Sequence, residues 1–131
     1  MNIADYFMIG LKNTLRLKND KNFSYSNSWQ QIYSNTTIDE FYVNDFLAAE
    51  YTIIVDAGNV SREIIKCLVV AGVNSANLTI YGRTNLGTNL VNLSATVNAS
   101  KISLIASPAA GSGHKCYVKA DYFYSINEIT E

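Results

Sequence analysis

The sequence predicts an all-β fold, an antiparallel β-sandwich or jelly roll of eight or nine short strands, on three observations. Apolar and polar residues alternate with period two along most of the chain, as in strands with one face against a core. The alternating runs are short and bounded by Gly, Asn or Ser, the spacing of sandwiches and barrels. Heptads, long amphipathic helices and linkers between domains are absent from the pattern.

In chain order, Leu11, Leu15 and Leu17 alternate against Lys12, Thr14, Arg16 and Lys18. A helix through Ile3, Phe7, Leu11 and Leu15 competes, but Gly10 and the Thr-Leu-Arg-Leu alternation favour a strand. The tract Asn19–Ser28 is polar and reads as a loop or an arm. Trp29–Ser34 and Thr37–Val43 follow as strands parted by Asn35. Glu50–Asp56 sets Tyr51, Ile53 and Val55 against Thr52 and Ile54, which predicts burial on both faces. After the turn Ala57-Gly58-Asn59, Arg62–Ala71 is the most apolar run, and its β-branched Ile64, Ile65, Val69 and Val70 favour a core strand over a helix. Asn77–Arg83 places Leu78, Ile80 and Gly82 on one side. Val91, Leu93, Ala95 and Val97 alternate next, and Asn98-Ala99-Ser100 turns into Lys101–Ser107, with Ile102, Leu104 and Ala106 inward. Pro108–Gly113 is a flexible loop before the last strand, Lys115–Ile126. The expected core includes Ile53, Val55, Leu68, Leu104 and Val118. Residues 1–28 are an N-terminal arm or first strand, and residues 29–131 the β-sandwich domain.

The 131 residues suffice for one core without disulfides or a structural metal. Apolar residues make up 48% and charged ones 16%, which excludes a disordered chain. A net charge of −1 lacks the electrostatic footprint of a nucleic-acid binder, and the cluster Lys12, Arg16, Lys18, Lys21 reads as a solvated face. Polarity is carried by Asn, Ser and Thr, which lose less on desolvation than full charges do. The opening Met1–Gly10 has no basic n-region and no apolar stretch approaches a membrane span, so neither a signal peptide nor a membrane partner is expected. The Asn-X-Ser/Thr tripeptides at Asn35, Asn59, Asn77, Asn92 and Asn98 are then chance products of composition. Cys67 and Cys116 lie in apolar runs far apart and are expected as buried, reduced thiols.

Little in the sequence points to catalysis. The single histidine, His114, lies in Gly-Ser-Gly-His-Lys, where a phosphate loop would need Gly-Lys-Ser/Thr before a helix. One His and two distant Cys do not make a zinc set. Asp39 and Glu40 are neighbours on a strand and should point to opposite faces, so they do not flank one bond. Glu50 and Asp56 each end a strand. No catalytic residue, metal site or cofactor is expected, and the chain is read as a non-enzyme. The nine tyrosines, with Trp29, Tyr33, Tyr42, Tyr51 and Tyr81 prominent, suit core and interface packing or an exposed sugar-stacking shelf.

A longer pattern runs through Ile38-Asp39-Glu40-Phe41, Ala48-Ala49-Glu50-Tyr51-Thr52-Ile53-Ile54-Val55 and Glu63-Ile64-Ile65-Lys66-Cys67-Leu68-Val69-Val70. It continues through Thr79-Ile80-Tyr81-Gly82, Asn85-Leu86-Gly87 and Ile102-Ser103-Leu104-Ile105-Ala106-Ser107-Pro108. This order of strands and turns resembles a small β domain of structural proteins of marine tailed phages, such as those infecting cyanobacteria. The resemblance covers Thr37–Ile126, about two thirds of the chain. It departs from the pattern at Ala49-Glu50-Tyr51, where a basic residue usually precedes the tyrosine, and at Val70-Ala71-Gly72, which replaces a His-Asp turn. It implies a non-enzymatic component of the virion, made in the host cytoplasm, in the tail or baseplate or decorating the capsid. Partners would be other virion proteins and copies of itself. The alternative is a carbohydrate-binding module of a receptor-binding fibre, with a glycan as partner. The N-terminal segment lies outside the match yet carries apolar Ile3, Tyr6, Phe7 and Met8 and basic Arg16 and Lys18, which are expected to contact other chains.

Overall fold

The computed structural model describes Phe23–Ser26 and residues 29–124. Among the described residues nine strands follow one another: β1 (Phe23–Ser26), β2 (Gln30–Ile32), β3 (Thr36–Tyr42), β4 (Phe46–Asp56), β5 (Arg62–Ala71), β6 (Ala76–Asn85), β7 (Val91–Asn98), β8 (Lys101–Pro108) and β9 (His114–Tyr124). All pair antiparallel, in a six-stranded and a three-stranded sheet. The larger runs β1-β9-β4-β5-β6, with β2 sharing β9's edge with β1, and the smaller runs β3-β8-β7. The expected β-sandwich is therefore the observed fold.

Two residues in the polar tract 19–28 expected as a loop or arm mark its limits. Phe23 pairs with Tyr122 and Ser26 with Lys119, so the segment between them is an edge strand. The expected strand Leu11–Lys18 lies outside the described residues, as do Ile3, Tyr6, Phe7, Met8, Arg16 and Lys18.

The core lies between the sheets. β4 sends in Tyr51, Ile53 and Val55, β5 Ile65, Cys67 and Val69, and β9 Cys116, Val118, Ala120 and Tyr122. Ile102, Leu104 and Ala106 of β8 meet them from the small sheet. Two core expectations are corrected. Leu68 is 46% exposed, because β5 turns Glu63, Ile65, Cys67 and Val69 inward and its even-numbered residues outward. Ile54 is likewise 45% exposed, so β4 is buried on one face only. Ile64 to Val70 of β5 is apolar at odd and even positions alike save Lys66, so only the small sheet, lying on one side, selects its buried set. Ile54 of β4, by contrast, stands among polar Glu50, Thr52 and Asp56 on the outer side.

Aromatic rings fill the end of the core near the β3–β4 turn. Phe46 stacks on Tyr122 at 4.9 Å and on Tyr124 at 5.6 Å, and Phe41 meets Tyr122 edge-on at 5.7 Å. A register shift between Thr37 and Asp39 lets Ile38 and Asp39 both be buried, as a β-bulge does.

The two-residue turn between Asn98 and Lys101 holds Ala99 at φ 53° and Ser100 at φ 66°. Positive φ at both central residues is the type I′ hairpin geometry, which Asn-Gly adopts without the Cβ clash that alanine meets. The double variant Ala99→Asn, Ser100→Gly should therefore raise unfolding free energy by about 1 kcal/mol. Denaturant titration checks this, with an unchanged m-value expected.

Candidate functional site

Among the described residues three groups of polar side chains are buried, and each has a structural task. The Asp39 carboxylate accepts hydrogen bonds from Tyr51 Oη (2.8 Å) and Tyr122 Oη, tying β3 of the small sheet to β4 and β9 of the large one. The expected opposition of Asp39 and Glu40 is resolved by this burial. Asp39 enters the core, while Glu40 Oε2 is 3.0 Å from Lys101 Nζ on the next strand.

Glu63, whose side chain is fully buried, forms the second group. Arg83 Nε and Nη2 donate to its two oxygens at 2.7 and 3.1 Å, Asn85 Nδ2 donates at 3.3 Å, and the Leu90 N–H at 3.0 Å. Arg83 also donates to the Val91 carbonyl. Burial pushes the Glu63 carboxyl up, but hydrogen bonds from Arg83, Leu90 and Asn85 outweigh it, and the net shift is downward. This network clips the β5–β6 edge of the large sheet to the start of β7 in the small one. Sequence reasoning passed over Glu63; its signal is a carboxylate at a buried parity beside an apolar run.

His114 is the third. It opens β9 rather than standing in the preceding loop, it is buried, and its Nε2 lies 2.5 Å from the Ala110 carbonyl. A Cβ at Gly111 would come within 3.0 Å of the ring, so the loop closes on the histidine. Among the described residues no cluster of three or more His, Cys, Asp or Glu could hold a metal ion.

Cys67 and Cys116 are free and buried. β4 separates them, with Tyr51 opposite Cys67 and Val55 opposite Cys116, which puts them roughly 10 Å apart across the sheet and 13 Å along it. That exceeds the reach of a disulfide. Burial pushes both thiols up to about 12, so neither is a nucleophile near neutral pH. An aromatic disulfide reagent should leave both untouched in the folded protein and find two thiols after denaturation without reductant. A thiol that reacts in the folded state would contradict the core packing.

The surface offers two features. At one end of the sandwich the β4–β5 turn and the β8–β9 loop bound a cleft of about 450 Å³, lined by Asp56, Asn59, Arg62, Ser112 and Lys115 among others. The turn is held open by its own bonds: Gly58 N–H donates to Asp56 Oδ1 (3.0 Å), and Arg62 bridges to Asp56 (3.1 Å) and Asn59 (3.3 Å). Those bonds, the Gly58 N–H foremost and Arg62 next, hold the Asp56 carboxyl below its usual range. Next to the cleft, Lys115 Nζ stands 5.4 Å from the Trp29 ring centre, and Tyr33 Oη donates to Gln31 Oε1 at 3.2 Å. Trp29 and Tyr33 are both exposed.

The second feature is the outer face of the large sheet. Ile54, Ile64, Leu68, Val70, Tyr81 and Tyr117 are all exposed there. The outer face of the small sheet is different in kind, with Asn92, Ser94 and Thr96 exposed along β7 and the Glu40–Lys101 pair beside them. A half-solvated antiparallel sheet ordinarily turns polar residues to water, so the large sheet's outer face is the departure.

No family model matches the chain, and no curated protein does. Solved structures do. Over 88% of its length the chain is similar to 22% of the tailspike protein gp49 of Acinetobacter baumannii bacteriophage Fri1, a capsular polysaccharide depolymerase, at 13% identity and a TM-score of 0.52. Part of the tailspike protein of Acinetobacter phage vB_ApiP_P1 also matches, at 11% identity and a TM-score of 0.41, over 79% of this chain and 21% of that one. The chain resembles in fold a part of the Fri1 tailspike, and it spans about a fifth of the length of both proteins.

Proposed function

We propose that this chain is a non-enzymatic structural module of a tailed-phage virion, a tail component that works by docking on other virion proteins. The observation that carries this reading is the outer face of the six-stranded sheet, where six large apolar side chains lie uncovered. Exposed apolar area of this extent favours contact with another protein, at about 25 cal/mol per Å² covered. The fold likeness to part of a tailspike supports a tail address over a capsid one. The burial of Asp39, Glu63 and His114 in structural bonds supports the non-enzymatic part, since none of them is presented to a substrate.

The test is genetic. Ile64→Asp and Val70→Asp place charges on that face without touching the core. The chain should keep its strand-dominated circular dichroism and lose its incorporation into particles. Normal incorporation of both variants would refute the reading.

A second reading has its own observation. Trp29 and Tyr33 stand open beside a cleft bearing Asp56, Asn59 and, next to it, Gln31, the aromatic shelf with carboxylate and amide rim that a sugar-binding module needs. The Fri1 tailspike, as a capsular polysaccharide depolymerase, handles such a ligand. A glycan array separates the two: specific binding abolished by Trp29→Ala would favour this second reading.

A further inference from the structure

Residues of the large sheet's outer face fall into rows that cross the strands, and the register fixes their order. Tyr117, Ile54 and Ile64 form an apolar row across β9, β4 and β5. The next row holds Lys119, Thr52 and Lys66, and is basic. The third holds Asp121, Glu50 and Leu68, and is acidic on β9 and β4. The fourth is Phe123, Ala48 and Val70, apolar again. Read in one direction the rows run apolar, basic, acidic, apolar; reversed, they run apolar, acidic, basic, apolar.

A pattern of this kind complements itself. We infer that the face docks on the same face of a second copy, about a two-fold axis that lies across the strands between the Lys119 row and the Asp121 row. This deepens the assembly reading above and rests on it. Such an axis reverses the strand direction and keeps the strand order. Lys119 of each copy then meets Asp121 of the other, and each Tyr117 row covers a Phe123 row. Isologous contacts pair every residue twice in this way, so one charge pattern supplies two sets of ion pairs. Lys66 sits one strand, about 5 Å, to the side of the partner position facing Glu50, within a lysine's reach across sheets packed about 10 Å apart. Aligned sheets cross at about −30°, which keeps the rows in register near the axis.

The size of the contact sets its strength. Four rows at about 7 Å, across β9, β4, β5 and the neighbouring β6 whose Tyr81 is also exposed, at about 4.8 Å per strand, cover on the order of 500 Å² per copy, the low end of specific interfaces. A pair of free copies should therefore associate weakly, and more strongly where copies are held close together in a particle.

Sedimentation velocity across a dilution series, with charge reversal, tests this. The wild-type chain should pass from monomer to dimer as concentration rises. Lys119→Asp alone sets like charges against Asp121, and Asp121→Lys alone sets them against Lys119, so each should weaken association by on the order of tenfold or more. Mixing the two variants places the introduced aspartate opposite the introduced lysine and leaves Asp121 of one copy opposite Lys119 of the other. The mixture should regain the wild-type association as a heterodimer. Failure of the mixture to regain what the single variants lose overturns the two-fold arrangement, since a contact elsewhere would not be restored in trans. A chain that stays monomeric at every concentration overturns it too. Neither result touches the assembly reading, which is tested separately by the incorporation of Ile64→Asp and Val70→Asp into particles.

Discussion

Glu63→Ala is expected to lower the unfolding free energy by about 3–5 kcal/mol, the cost of stranding one partner of a buried ion pair. Its fully buried carboxylate receives two bonds from Arg83 and one each from Asn85 and the Leu90 N–H, and removal leaves those donors facing an apolar space. The loss falls on the clip between the sheets, so hydrogen exchange should quicken first at the start of β7. Glu63→Gln keeps the shape and some of the bonds, and should cost less. The pair also sets a pH dependence. The folded-state value of Glu63 is depressed below 4.5, so its contribution is complete above the unfolded value and is lost as pH falls through the folded one. Stability of the wild-type chain should therefore decline on acidification below about pH 4.5, and Glu63→Gln should flatten that decline. Denaturant titrations at neutral and acid pH measure both effects, with Asp56→Asn as the control for a second depressed carboxyl. A Glu63→Ala midpoint equal to wild type would contradict the burial and bonding described.

Leu104→Ala should cost about 2–5 kcal/mol, while Leu68→Ala should cost far less. Both are leucines in apolar strands, and the difference lies in the face. Leu104 is 1% exposed on the central strand of the small sheet, against the aromatic and aliphatic core. Truncation there opens a cavity that two packed sheets cannot close. Leu68 is already open to water, so its loss removes little buried area. Equal destabilisation by the two variants would mean that the inward parity of β5 is wrong. An association defect in Leu68→Ala without a stability defect would agree with the proposed role of the outer face.

Alternation made most of the sandwich legible in the sequence. β5 begins and ends at Arg62 and Ala71 as its apolar run does, and Tyr122 and Tyr124 lie on the buried side of β9, opposite Tyr117 and Phe123. Where alternation was missing, so was the information. Ile64 to Val70 is apolar at nearly every position, and such a run does not say which parity the second sheet will cover. Leu68 was misplaced for that reason, and the outer face was invisible for the same reason: its apolar residues read as core. The short edge strand Phe23–Ser26 was hidden in a polar tract, since backbone pairing with β9 makes it a strand. The polar clip around Glu63 joins residues from β5, β6 and the start of β7, and only the folded chain brings them together.

The central claim is that this domain acts through contacts of its large sheet's outer face within a virus particle. The most direct measurement is electron microscopy of the purified particle that we propose contains it, combined with cross-linking mass spectrometry from Lys66 and Lys119. The account predicts the chain in the particle, with density of another protein or a second copy over Ile54, Ile64, Leu68 and Tyr117, and cross-links from both lysines to that neighbour. A particle without the chain, or one in which that face looks onto solvent, would contradict it.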